Sequence, residues 1–284
     1  MRHRFEVRVG PVGFRIGSAW ARPVAALRAL YAGYPGLAEG VPDFTVRLEP
    51  ATRWRRFVRP PVAIRGDYTL PDAAPLPLPQ ALLAAEMGMN LQMALGQRRY
   101  LLLHAAALER DGRALILTGE SGAGKSTLSA LLALAGWRFL GDEFALLGLD
   151  DGLLRPFPRP VSLKNASIEV AAAAGGVIAA TVEGTPKGRI GYMRPPVAAL
   201  AAIDAPARPA LLLFPRFGQA EAVRAVGQAE AFVRLTQAST NYVALGEPGF
   251  DALSRLVTEV PLAAIDYPDT TTAHALVERL WASA

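Results

Sequence analysis

Apolar and polar residues alternate from Phe5 to Ile16 on either side of Gly10-Pro11, and this two-residue period predicts a β-hairpin. A helix is predicted over about residues 23–32, and alternation returns as a strand at Phe44-Thr45-Val46-Arg47-Leu48. The proline-rich stretch 70–79 reads as a linker or an extended crossing strand. Leu82, Leu83, Met87, Leu91 and Leu95 then recur at helical spacing, predicting a helix over residues 80–97 with its methionines as core filler.

Beyond residue 98 the pattern changes. Continuous apolar runs at 100–109, 114–118, 137–147, 210–215 and 262–267 read as buried strands, the first broken by His104 and the third by Asp142-Glu143. Helical runs at 126–135, within 220–238, and at 250–257 and 271–281 separate them, the last with threonines at its start as caps. Residues 171–180 are low-complexity alanine and glycine, read as a helix end and a flexible turn. Strands alternating with helices predict an α/β domain over residues 99–284, a mixed sheet flanked by helices, behind a smaller α+β lobe over residues 1–98.

Composition narrows the classes. A net charge of +5 and a pI near 9.8 would suit nucleic acid, but the basic residues are scattered with no aromatic and basic stripe, so no nucleic-acid role is expected. Arg53, Arg55, Arg56 and Arg59 surround Trp54 and Phe57. That cluster is either a site for a phosphate or an acidic partner, or a solvated strand face. There is no cysteine, which excludes disulfides and thiolate chemistry. The N-terminus lacks the apolar core of a signal peptide, and the most apolar window, residues 197–214, contains Asp204, Arg208 and prolines. The expectation is a cytoplasmic protein with no membrane contact.

The chemistry concentrates at Gly119-Glu120-Ser121-Gly122-Ala123-Gly124-Lys125-Ser126, which satisfies G-x-x-x-x-G-K-[ST] between a predicted strand and a predicted helix. Glycines let successive backbone N–H groups turn inward around a polyphosphate at a helix N-terminus. Lys125 is expected on the β and γ phosphates and Ser126 on Mg²⁺, with Thr127 in the first turn of the helix. A nucleoside triphosphate with Mg²⁺ is therefore the expected ligand.

Other residues stand out around that motif. Asp142 and Glu143 interrupt an apolar strand, which is costly unless they hold a cation or accept a proton; the alternative is a salt-bridged pair at a strand kink. The strand carrying them is expected close to the one feeding the loop. His104 is either a core histidine satisfied by a carbonyl or an active-site residue. Pro156 to Ser167 is too rigid and polar for a filler loop, and Glu183 to Arg189 reads as a mobile basic loop over a transferring phosphoryl group or as a plain surface turn. Only three lysines accompany the arginines, and Lys125, Lys164 and Lys187 each fall in one of these stretches.

Asp142 follows Lys125 by only 17 positions. That spacing, with HAA at His104, GESGAGKST, GDE at Asp142 and the PRPVSLKNAS stretch, resembles the HPr kinase/phosphorylase superfamily, in particular the HprK-related "kinase A" group. The resemblance runs from about residue 100 to the final helix and implies a P-loop, HPr-kinase-like catalytic domain. It implies Asp142 as proton acceptor for a substrate hydroxyl, Ser126, Asp142 and Glu143 as the metal side, and His104 beside the phosphates. It also implies an ATP-dependent serine kinase acting on a protein or peptide, a small peptide-binding partner protein, and a homo-oligomer. Lys164, Lys187 and Arg189 are the substrate-side candidates. The family's glycine-rich signature carrying a second metal-binding glutamate has no match, and Glu169 lies at a comparable distance. A regulatory or assembly NTPase without phosphotransfer and a small-molecule kinase are the alternatives.

Overall fold

The computed structural model describes residues 2–37, 40–52, 54–57 and 60–284, without the side chain of Arg56. The chain is mixed α/β. The hairpin forms as its alternation predicts: β1 (His3–Val9) pairs antiparallel with β2 (Val12–Ser18), Val9 facing Val12 across a turn in which Gly10 has φ +52°. A side chain on Gly10 would strike the carbonyl of Pro156, so the turn lies directly against a distant segment. After α1 (Ala21–Leu30), β3 (Phe44–Pro50) runs parallel to β2, and β4 (Pro61–Gly66) and β5 (Leu76–Pro77) complete a five-stranded sheet. α2 (Ala81–Gly96) packs on β3 and β4, Gly88 lying against Val46 and Ile64, with Ala85, Met89 and Met93 buried, but Met87 is 47% exposed, so it is not core filler.

The run at 100–109 is two strands rather than one. β6 (Tyr100–Leu103) and β7 (Ala105–Arg110) belong to different sheets, and the chain changes sheet at His104, whose N–H donates to the carbonyl of Ala238 at 2.8 Å. β8 (Arg113–Thr118) returns antiparallel to β7 through Asp111-Gly112, both with positive φ, as a two-residue hairpin requires. The glycine-rich loop follows, and then α3 (Lys125–Leu134). The run at 137–147 divides in the same way into β9 (Arg138–Gly141) and β10 (Ala145–Gly148), with Asp142-Glu143-Phe144 between them.

β9 pairs with β7 in one sheet while β10 pairs with β6 in another, so both breaks lie on a single seam between sheets. β9 is not adjacent to β8, because β7 stands between them. Asp142 and Glu143 reach the loop that follows β8 from the seam rather than through direct pairing of β9 with β8.

The remaining elements are β11 (Leu154–Arg155), β12 (Val161–Lys164), α4 (Ala166–Ala173), β13 (Ile178–Thr185), β14 (Gly188–Met193), α5 (Val197–Ala201), β15 (Arg208–Phe217), β16 (Ala222–Ala225), α6 (Gln228–Ala238), α7 (Tyr242–Leu245), α8 (Glu247–Glu259), β17 (Leu262–Tyr267) and α9 (Thr270–Ser283). The six-stranded sheet has the order β16-β17-β15-β8-β7-β9, with β8, β15 and β17 mutually parallel.

The helix expected within residues 220–238 is α6, and the exposed edge strand β16 precedes it. Residues 183–189, read as either a mobile basic loop or a plain surface turn, are the tip of the β13/β14 hairpin, held by Gln80 Nε2 donating to the carbonyls of Glu183 (3.2 Å) and Gly184 (2.8 Å). The cap of α9 is the Asp269 carboxylate, which accepts from the Thr272 N–H at 2.8 Å, in place of a threonine.

One hydrophobic cluster joins the first sheet, α1 and α2 to Leu102, Phe144, Leu146, Phe157, Ile190 and Tyr192. Two others sandwich the six-stranded sheet. Among the described residues no helix is long and apolar enough to cross a membrane.

Candidate functional site

The glycine-rich loop leaves the C-terminal end of β8 and turns into α3. Gly122 (φ +88°) and Gly124 (φ +92°) both sit in the left-handed region. At Gly124 a side chain would also come within 2.6 Å of the Tyr267 hydroxyl, so glycine is required there twice over. Lys125, the first residue of α3, is 7% exposed and folds back so that Nζ donates to the carbonyls of Gly119 (2.6 Å) and Glu120 (2.9 Å). Burial lowers its pKa, against the opposing pull of Asp142 and Glu143.

The seam delivers the acidic residues. Asp142 leaves the end of β9 and is 8% exposed; Oδ1 accepts from the Ser129 hydroxyl at 3.3 Å, and the Ser126 hydroxyl also bonds to this carboxylate. Burial, reinforced by Glu143, pushes its pKa up to about 7, and the two serines and Lys125 only partly oppose this. Glu143 faces His104 across the seam, with 3.8 Å from Oε2 to Nδ1. His104 is therefore not a core histidine: 46% of its side chain is exposed. Its pKa is lowered chiefly by desolvation among crowded neighbours, Lys125 and Lys164 adding to the effect and Glu143 resisting it. Thr118 Oγ1, at the loop's entrance, donates to the His104 carbonyl at 3.3 Å.

Two cavities meet at His104, Glu143, Ser121, Gly122 and Phe217. The smaller, about 290 Å³, follows the N-terminus of α3 and is lined by Lys125, Ser126, Thr127, Asp142 and Lys164 among others. Ser167 of α4 also lines it and bonds to the Thr127 hydroxyl at 2.8 Å. The larger, about 1340 Å³, opens on the other side of the loop. One wall of it is Met87, Asn90, Leu91 and Ala94 of α2, with Ile64 and Leu70, so residues before β6 form part of the site.

The substrate-side candidates separate. Lys164 lines the smaller cavity, held at the end of β12 by Asn165 (φ +50°), whose side chain accepts from the Arg189 N–H at 3.1 Å and donates to the Lys187 carbonyl at 3.3 Å. Lys187 sits at the hairpin tip and lines neither cavity. Arg189 is ion-paired with Glu169, so these two candidates occupy each other and lie outside the site. Of the arginine cluster, Arg53 and Arg59 and the Arg56 side chain lie outside the described residues; Arg55 stacks on Trp54 at 5.1 Å, away from both cavities.

Sequence reading missed Phe217, Tyr267 and the α2 wall. It also missed Arg159, whose buried guanidinium binds Glu86 and Asn90 of α2 and so ties the Pro156–Ser167 stretch to that helix. The only sequence signal for Phe217 was an aromatic residue followed by glycine at the end of a buried strand.

No family model and no curated protein sequence matches the chain. Among solved structures, a similar one is the Hpr(Ser) kinase/phosphatase from Coxiella burnetii. It is 14% identical, the match covers 64% of this chain and 99% of that one, and the TM-score is 0.28. An overlap that loose leaves the site's chemistry to be argued from this chain's own residues.

Proposed function

We propose that the chain is an ATP-dependent kinase of the HPr-kinase-like type, transferring the γ-phosphoryl group to a hydroxyl, in the first instance a serine of a protein or peptide. The observation that carries this reading is the convergence on one loop of groups from separate elements. Lys125 and Ser126 come from α3, Asp142 and Glu143 from the β9–β10 seam and His104 from the β6–β7 seam, with Asp142 buried and titrating near neutrality. A general base works best with a pKa close to the operating pH.

In this mechanism the loop's N–H groups and Lys125, released from the loop carbonyls, hold the β and γ phosphates. Asp142 accepts the proton of the attacking hydroxyl as its oxygen bonds to the γ phosphorus and the bond to the β-phosphate oxygen breaks, releasing ADP. The donor set suits Mg²⁺: a hydroxyl from Ser126 and carboxylates from Asp142 and Glu143 are hard oxygen ligands. Among the described residues no group of three or more His, Cys, Asp or Glu side chains is placed to hold a metal ion. When bound, Mg²⁺ would neutralise charge on the phosphate oxygens. The acceptor approaches from the larger cavity, whose α2 wall is apolar apart from Asn90 and which exceeds the space a nucleotide needs.

The direct test is incubation with γ-labelled ATP, Mg²⁺ and lysate from the protein's own source. Label on a discrete protein or peptide that is lost with Lys125→Ala supports the kinase; label appearing only in free phosphate, or none transferred despite tight ATP binding, refutes phosphotransfer.

A further inference from the structure

The sheet order gives the glycine-rich loop two unlike flanks. On the β7 and β9 side stand His104, Asp142 and Glu143, and β15 and β17 lie on the other side of β8. The charged residues lining the smaller cavity are Lys125, Asp142, Glu143 and Lys164, none of them on the β15/β17 flank. To the smaller cavity that flank contributes Phe217, Tyr267, Thr270 and Ala273, all neutral, while Arg216 and Asp266 of the same two strands line the larger cavity and pair with each other.

Resting on the nucleotide reading above, this asymmetry orients the ligand. If the γ phosphate lies among Asp142, Ser126 and Lys125, a linear triphosphate ester crossing the N-terminus of α3 carries its nucleoside toward the neutral flank. An uncharged aromatic wall there suits a base and offers nothing to a phosphate.

Phe217 ends β15 on that flank. It is 52% exposed although it borders both cavities, and its ring lies 6.0 Å from that of Tyr267, which is buried behind it. Its position is fixed against the loop itself, since its N–H donates to the Ala123 carbonyl at 3.3 Å and its Cβ lies 3.1 Å from where a side chain on Gly124 would stand. Val170 of α4, 38% exposed, adds a second apolar surface to the same cavity. We infer that Phe217 is the stacking platform for the nucleobase, so that the site selects nucleotides over other polyphosphates and favours purines, whose larger rings stack better.

Calorimetric titration with ADP and with pyrophosphate, each with Mg²⁺, tests this. Phe217→Ala should weaken ADP about five- to hundredfold while leaving pyrophosphate within about twofold, and Phe217→Trp should retain ADP. Unchanged ADP affinity in Phe217→Ala overturns the inference, and so does a parallel loss of pyrophosphate, which would make Phe217 a prop for the loop. Wild-type protein that binds neither probe defeats the nucleotide reading itself, an outcome distinct from both.

Discussion

Arg159 and Glu86 form a buried ion pair, their side chains 5% and 6% exposed, joining the segment before β12 to helix α2. The Tyr31 hydroxyl donates to the same carboxylate at 2.8 Å, and Asn90 takes the other arm of the guanidinium. This network fixes the wall of the larger cavity to the strand that ends in Lys164. Breaking a buried pair by removing one partner leaves an uncompensated charge, whereas replacing both partners by apolar groups does not. Arg159→Ala should therefore destabilise the fold by about 3–5 kcal/mol. Arg159→Met with Glu86→Leu should recover most of that loss in denaturant titrations. If the single substitution matches wild type, the pair is not a structural tie.

Asp142 makes stability depend on pH. Its pKa of about 7 in the folded chain lies above the ordinary carboxylate value, so the folded state keeps a proton that the unfolded state has released. Stability is thus fullest in acid and falls as pH rises through about 7. Asp142→Asn is neutral throughout. In EDTA its melting temperature should exceed that of wild type at about pH 8 and approach it at about pH 4. The same variant should bind ATP but transfer phosphate about 10²–10⁴-fold more slowly. An unimpaired rate would remove Asp142 from the mechanism.

Gly124→Ala meets two obstacles, a φ of +92° and a contact of 2.6 Å with the Tyr267 hydroxyl. The loop must shift to relieve them. ATP affinity should fall at least about tenfold, and adding Tyr267→Phe should restore only part of it, since the backbone strain remains. Full binding by Gly124→Ala would show that the loop's conformation is not what holds phosphate.

The α2 wall predicts a split between substrates. Met87→Glu places a charge on the larger cavity, away from the loop. With a peptide acceptor its KM should rise about tenfold while KM for ATP stays unchanged. Equal changes in both would mean that the acceptor does not use this wall.

Local signals were legible where the chemistry is continuous in the chain. The hairpin at Gly10, the turn at Asp111-Gly112 and the strand, loop and helix order around Lys125 each follow from a few adjacent residues. Two polar interruptions, at His104 and at Asp142-Glu143, were visible as anomalies, but nothing in the sequence said that they are one feature. They coincide because each lies where a strand passes from the six-stranded sheet to the β6/β10 sheet, leaving positions outside the ladder that polar side chains can occupy. The pairing of Arg189 with Glu169 was equally invisible, since it depends on Asn165 drawing the hairpin tip onto the start of α4.

The sequence by itself determined the glycine-rich loop, the residue types gathered around it and most of the elements, because backbone conformation and periodicity are set over a few neighbouring residues. Only the tertiary structure decided that β7 stands between β8 and β9, that α2 walls the cavity beside the loop, and that Phe217 stands at the loop's other flank. Those relations join residues far apart in the chain, and they are fixed by which apolar faces bury one another, a choice no local pattern records.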